Sequence, residues 1–278
     1  MAADAQKRIH DLFDSLWADY TAFNPQAKRI YDLILDNERT KDPSIRALVN
    51  DHVALRTFDL PKMGVDALGA HFVELGYKAC GEYVFEEKKL FARHFEHEDK
   101  TLPKVFISEL ETKKFSPLVQ SMVKEVSDQI TEAEIKKPSF LWSRRKWQAS
   151  HATYQKLLAE SEYAAWVYAF GFRSNHFTIS VNHLKSFKDL PELNGFVRAK
   201  GYALNTSGGE IKGTPAQLLE QSSTLAEKTR LEFSDGVHEI PACYYEFARR
   251  YPQADGKLYQ GFIAASADKI FESTNVRQ

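Results

Sequence analysis

Cysteine is nearly absent. Cys80 and Cys243 are the two in a chain of 278 residues. Two thiols without clustered spacing exclude a disulfide framework and a four-ligand structural zinc site. They point to free thiols in a reducing compartment, and so to a cytoplasmic location. An excess of one charge is lacking as well. Lys and Arg total 37 against 38 Asp and Glu, a formal net charge of -1. That balance offers no purchase to a nucleic acid or an anionic membrane. No apolar run approaches the roughly 18 residues of a membrane span, and the N-terminus has no signal-peptide pattern. Gly208-Gly209 lacks a phosphate-loop or dinucleotide fingerprint. No nucleophile elbow appears, and nothing places Ser, His and Asp together. Low-complexity segments are missing too. The composition, 43% apolar and 27% charged, is that of an ordinary globular protein.

What the chain does have is an internal repeat. Asp51 to Asp59 reads as a strand with His52 in second place, and Asn175 to His183 repeats the pattern with His176. A helical stretch ending in Gly-Tyr follows each, Val65 to Tyr77 and Leu190 to Tyr202. Further strand-like runs come next. The last run of each half carries a Glu among apolar residues, Glu109 in the first and Glu246 in the second. Two His and a carboxylate meeting in one cavity are what a catalytic divalent metal needs.

The remaining segments read as helices and connectors. Ile9, Leu12, Phe13, Leu16 and Trp17 fall on one face of a helix over residues 4–22. Pro25 opens a second helix running to about Asn37, with a charged connector from Asp36 to Pro43. Phe115, Leu118, Val119, Met122 and Val126 are spaced for a helix, and residues 151–170 read as another. The expected divisions are a helical N-terminal segment over 1–49, a first strand-helix-three-strand module over 50–111, a helical insertion over 112–173, and a second module with a tail over 174–278. The class expected is α+β. In the second module Thr224 to Ser234 and Ile240 to Arg250 are both expected as strands.

A duplicated unit with His on its first strand and Glu on its last resembles the vicinal oxygen chelate superfamily. The details are similar to the domain-of-unknown-function 1338 family, whose members include the 2-oxoadipate dioxygenase/decarboxylases. The resemblance rests on Trp17, Tyr20 and Pro25, on Asp51 to Phe58, on Asn175 to Thr178, and on Tyr244 to Arg250. It implies two modules curving into one mixed sheet around a metal held by His52, His176 and Glu246. The implied metal is Fe(II), with Zn, Ni or Mn as substitutes in purified protein. The implied substrates are O2 and a 2-oxo dicarboxylic acid such as 2-oxoadipate. Its oxidative decarboxylation would give 2-hydroxyglutarate, one carbon shorter, in lysine breakdown.

Residue by residue, strand alternation puts His52, Ala54 and Arg56 on one face. Arg56 there suits a guanidinium gripping a substrate carboxylate through its two-pronged fork. Glu109 is the repeat counterpart of Glu246, and is expected as an inner-cavity, substrate-contacting residue. Glu239 is an alternative to Glu246 on the same predicted strand. His183 has the wrong parity for the site. His94, His97, His238, Arg249 and Arg250 are expected to be solvated, and the basic run Ser143 to Lys146 to be loop surface. The N-terminal helices and the insertion are expected to cover the open side of the sheet, with Trp17, Tyr20 and Trp166 at the junction. Two other classes remain open: a redox-silent lyase, isomerase or hydrolase on the same scaffold, and a non-catalytic small-molecule binding protein.

Overall fold

Two amphipathic helices lead the chain. In a computed structural model, which describes residues 2–264, helix α1 spans Ala2–Phe23 and α2 spans Pro25–Lys41. Ile9, Leu12, Phe13, Leu16 and Tyr20 of α1 are all buried, as the period of 3.6 requires. Pro25 sits in the first turn of α2, where its missing N–H costs nothing. Helix α2 runs four residues beyond the expected Asn37. Glu38 explains this: its buried carboxylate accepts the backbone N–H groups of Lys185 and Ser186 at 2.7 and 2.8 Å. The charge that looked like a connector is thus an internal tie.

The first module follows as β1 (Asn50–Phe58), α3 (Val65–Val73), β2 (Lys78–Phe85), β3 (Leu90–Glu96) and β4 (Lys104–Leu110). A helical stretch then comprises α4 (Pro117–Asp128), the short α5 (Glu132–Ile135), α6 (His151–Glu160) and α7 (Glu162–Phe170). The second module is β5 (Ser174–Ser180), α8 (Leu190–Ala199), β6 (Lys212–Thr214), β7 (Leu219–Ser223), a hairpin of β8 (Lys228–Phe233) and β9 (Gly236–Pro241), and β10 (Glu246–Arg250). Eight of these strands form one mixed sheet in the order β2-β3-β4-β1-β5-β10-β7-β6, which curls into a half-barrel. Each half has the same internal order, its first strand lying parallel to its last, and the halves join where β1 runs antiparallel to β5.

The β8–β9 hairpin stands outside that sheet. The expected strand over Ile240 to Arg250 is therefore two strands with a break. Pro241 ends β9, since it has no N–H to give a ladder, and pairing resumes at Glu246. The hairpin turn serves a helix instead: Asp235 accepts the N–H groups of His151 and Ala152 at the start of α6.

Helix α1 packs behind the sheet. The Trp17 and Tyr20 rings lie 5.1 and 5.2 Å from the Phe177 ring, and Phe177 points away from its neighbour His176. The expectation that α1 covers the open side is thus corrected. Its apolar stripe found the convex face, where it packs on Phe177 of β5 and on Tyr245.

Candidate metal centre

Strand register brings three ligating side chains together. On β1 and β5, His52 pairs with Thr178 and Ala54 with His176; on β5 and β10, Thr178 pairs with Glu246. Paired residues share a face, so His52, His176 and Glu246 all turn to the concave side. Their ligand atoms lie within 4.8 Å of one another, and all three residues are buried. His52 Nε2 is 3.6 Å from Glu246 Oε1, and His176 Nε2 is 3.3 Å from Glu246 Oε2. They line a pocket that Arg56, Tyr244 and Phe262 also line.

The rings are held from behind. His52 Nδ1 lies 2.8 Å from Asp51 Oδ1, and His176 Nδ1 lies 2.8 Å from Asn175 Oδ1. An oxygen that can only accept requires N–H at each Nδ1, which leaves each Nε2 with its lone pair facing inward. Asp51 is itself fixed by Arg250, whose Nε and Nη2 donate to it at 2.6 and 2.9 Å. Burial works against charge on Asp51, yet Arg250, Lys104 and the His52 hydrogen bond together outweigh it and hold the carboxyl well below its usual range. On Glu246, Oε1 accepts from Gln221 Nε2 at 2.5 Å, while Oε2 is buried without a hydrogen-bond partner among the described residues.

Electrostatics ask for a cation here. Burial raises the Glu246 carboxyl to about 8 and lowers both imidazoles, His176 the further of the two. A divalent ion removes the conflict, because it attracts a carboxylate and two neutral imidazoles at once. The partnerless Oε2 and the two inward Nε2 atoms are the donor set such an ion takes.

Arg56 occupies the far end of the pocket. It is 2% exposed, with its guanidinium 4.9 Å from the Tyr163 ring centroid and 5.1 Å from that of Trp166. Its Nη1 donates to Glu162 at 3.3 Å. Helix α7 therefore does reach the site, through Trp166 and Tyr163.

Several expectations are corrected. Glu109 does not line the pocket. It pairs with Thr57, on the face opposite Arg56, and its Oε2 accepts the Val65 N–H at the start of α3. The true counterpart of Glu246 is Phe106. The residue two after His176 pairs with Glu246, whereas the residue two after His52, Ala54, pairs with Phe106. Arg250 is not a solvated edge but a 3% exposed partner of Asp51. His94 is buried, paired to Tyr83 and Glu96. Glu239 is exposed on β9 and His183 is exposed after β5.

Other site residues went unseen in the sequence. Tyr244 stacks on His176 with ring centroids 4.6 Å apart, and its buried hydroxyl has no partner among the described residues. Asn175 and Asp51, each immediately before a ligand-bearing His, carry a signal that the repeat contains: an oxygen side chain at the same offset in both copies. Gln221 and Phe262 carry none.

Two inward imidazoles and one carboxylate, on the concave side of a curled sheet beside a buried arginine, form a set that could hold a metal ion and leave coordination positions open. Residues 12–257 match the family model of the 2-oxoadipate dioxygenase/decarboxylases, and the chain belongs to that family. It is 35% identical to the chloroplastic 2-oxoadipate dioxygenase/decarboxylase of Arabidopsis thaliana, over 92% of this chain and 74% of that protein. Hydroxyglutarate synthase of Oryza sativa, solved in complex with 2-oxoadipate, is similar at 31% identity and a TM-score of 0.87, covering 99% of this chain and 94% of that one. A solved Shewanella frigidimarina protein, described as a candidate hydrolase, is 49% identical with a TM-score of 0.86, covering 92% and 98%.

Proposed function

We propose that the protein is an Fe(II)-dependent dioxygenase that converts 2-oxoadipate and O2 into 2-hydroxyglutarate and CO2, as a step of lysine catabolism. The observation that carries this reading is the buried His52, His176 and Glu246 set sharing one pocket with Arg56. The rice relative, solved with 2-oxoadipate, supports the substrate. The atoms balance: one oxygen of O2 ends in the new carboxylate and the other in the new hydroxyl, while one carbon leaves as CO2.

His52, His176 and Glu246 would hold the iron, with Asp51 and Asn175 fixing the imidazoles from behind. When bound, ferrous iron supplies the O2 and electron-transfer chemistry that no side chain of the chain can. Arg56 grips a substrate carboxylate, and the Tyr163 and Trp166 rings keep its guanidinium oriented. The Tyr244 hydroxyl, its pKa raised by burial, stays protonated and donates to a substrate oxygen. Phe106 and Phe262 keep water out.

The scaffold supports a relation to vicinal-oxygen-chelate proteins, with modules over 50–111 and 174–278, helical segments over 1–49 and 112–173, and the β8–β9 hairpin added to the second. Residues 265–278 lie outside the described part. Among the described residues no helix is long and apolar enough to cross a membrane, and two free thiols suit a reducing compartment such as the cytoplasm.

The test is anaerobic loading with ferrous iron, then 2-oxoadipate and a known amount of O2. Equal amounts of O2 consumed, CO2 released and 2-hydroxyglutarate formed are expected. Turnover of 2-oxoadipate without O2 uptake would instead favour the redox-silent reading on the same ligands, with Zn, Ni or Mn acting as a Lewis acid.

A further inference from the structure

The hairpin at the sheet's edge carries a second set of ligating side chains. Cys80 on β2, and His94 and Glu96 on β3, each offer one ligand atom, and these lie within 4.8 Å of one another. Local backbone geometry brings them together. His94 and Glu96 are two residues apart on a strand and share a face. Across from them, Ala79 pairs with Phe95 and Gly81 with His94, so Cys80 is the extra residue of a bulge. A bulge re-aims the side chain it inserts, and here it turns the thiol to the His94 side. Gly81 leaves the space: a Cβ there would stand 2.9 Å from atoms of the His94 ring and 2.8 Å from the Tyr83 hydroxyl.

The imidazole is set as a ligand's would be. His94 Nδ1 lies 2.8 Å from the Tyr83 hydroxyl, and Nε2 faces Glu96 Oε1 at 3.1 Å. An outer hydrogen bond on one ring nitrogen orients the other towards a cation. Glu96 divides its oxygens, with Oε2 paired to Lys100 at 2.7 Å and Oε1 turned to the ring. His94 is 3% exposed and cannot swing freely, while Cys80 is exposed and gives an ion its way in.

We propose that Cys80, His94 and Glu96 form a second cation site, separate from the His52, His176 and Glu246 set, for a thiophilic divalent ion such as zinc. A thiolate ligand disfavours Mg and Ca, and the mixed sulfur, nitrogen and oxygen set is one that zinc accepts with a solvent molecule in the fourth position. Binding displaces the thiol proton to solvent, moves the His94 ring proton from Nε2 to Nδ1, where it donates to the Tyr83 hydroxyl, and replaces the His94–Glu96 contact with two metal bonds. The site adjoins the pocket. The Tyr83 hydroxyl that orients His94 also accepts the backbone N–H of Phe262 at 3.1 Å, and the Phe262 ring lies 4.8 Å from the His52 ring.

Cobalt(II) separates the two sites by colour, because one contains sulfur and the other does not. Titrated anaerobically into the full-length metal-free protein, cobalt at the inner site gives weak visible bands alone. At the outer site it adds an intense thiolate-to-cobalt charge-transfer band in the near ultraviolet. That band is expected to saturate by two equivalents of cobalt per chain, one for each site, and to bleach when zinc is added. Cys80→Ser, at an exposed position, should remove it and leave the visible bands. Tyr83→Phe should shift the cobalt concentration needed for it upward by about tenfold. No charge-transfer band at saturating cobalt, or one that survives Cys80→Ser, overturns the proposal.

Discussion

At Arg56 a flat cation lies against two aromatic rings, with one edge turned to Glu162. An ammonium is a compact point charge and reproduces neither the stacking nor the fork. Arg56→Lys is expected to retain the metal while raising KM for 2-oxoadipate by roughly 10- to 100-fold, the scale of hydrogen bonds to charged groups. Steady-state kinetics with metal content measured in parallel check this, and an unchanged KM would remove Arg56 as the anchor. Tyr244→Phe deletes one buried, partnerless hydroxyl and keeps the ring against His176. The variant should fold at least as well as the parent, since no hydrogen bond within the protein is lost, and should lose about tenfold in kcat/KM. Wild-type kinetics in it would show that the hydroxyl never meets substrate. Asp51 works at one remove from the metal. Asp51→Asn weakens the link between His52 and Arg250, and a chelator competition should find metal bound about 10- to 100-fold more weakly.

Among the elements, α1 is tied to β5 and its approach by charge as well as by rings. Asp19 accepts from Arg173 Nε and Nη2 at 2.8 and 2.7 Å and from Arg144 Nε at 2.7 Å. Arg173 is itself buried, with its guanidinium 3.8 Å from the Phe23 ring centroid. Removing one member of a buried pair strands the other. Asp19→Ala is therefore expected to cost about 3–5 kcal/mol of unfolding free energy in denaturant titration. Because α1 lies on the convex face, the folded fraction should keep its specific activity and its ratio of O2 consumed to product formed. O2 consumption without product would return α1 to a guarding role.

For the molecule as a whole, the site's burial links metal, protons and stability. Glu246 sits near 8 in the metal-free fold because burial penalises its charge, whereas an unfolded carboxyl titrates near ~4.3. The metal-free fold thus binds a proton that the unfolded chain has already released. Between about 4.5 and about 8 this carboxyl's contribution to stability should fall as pH rises. Below about 6.5 the two imidazoles oppose it, because they are neutral in the fold and protonated in the unfolded chain, so the net fall is expected from about 6.5 to about 8, levelling off above. A cation must displace the same proton. Affinity for it should climb by up to about tenfold per pH unit towards about 8 and flatten above, with the imidazoles adding nothing because burial already keeps them neutral. Metal binding followed across that range, beside thermal unfolding of metal-free protein, reads both slopes. An affinity independent of pH would mean that Glu246 is already ionised in the metal-free fold.

The sequence alone determined what repeats locally. A strand shows itself by alternation and a helix by its 3.6 period, so the two modules, their His52 and His176, and the face shared with Arg56 were legible. Glu246 was legible as a carboxylate among buried aromatics. What depends on pairing between distant segments was not. The repeat suggested Glu109, but inter-strand register put Phe106 on the pocket side and sent Glu109 to cap α3. Asp51 and Arg250 meet across 199 residues, and no local pattern announces such a pair. Likewise, an apolar stripe on α1 demands burial without naming the surface that supplies it. Periodicity along a chain fixes which way side chains point within an element, while hydrogen-bond register and packing, which are settled only when elements meet, decide what they point at.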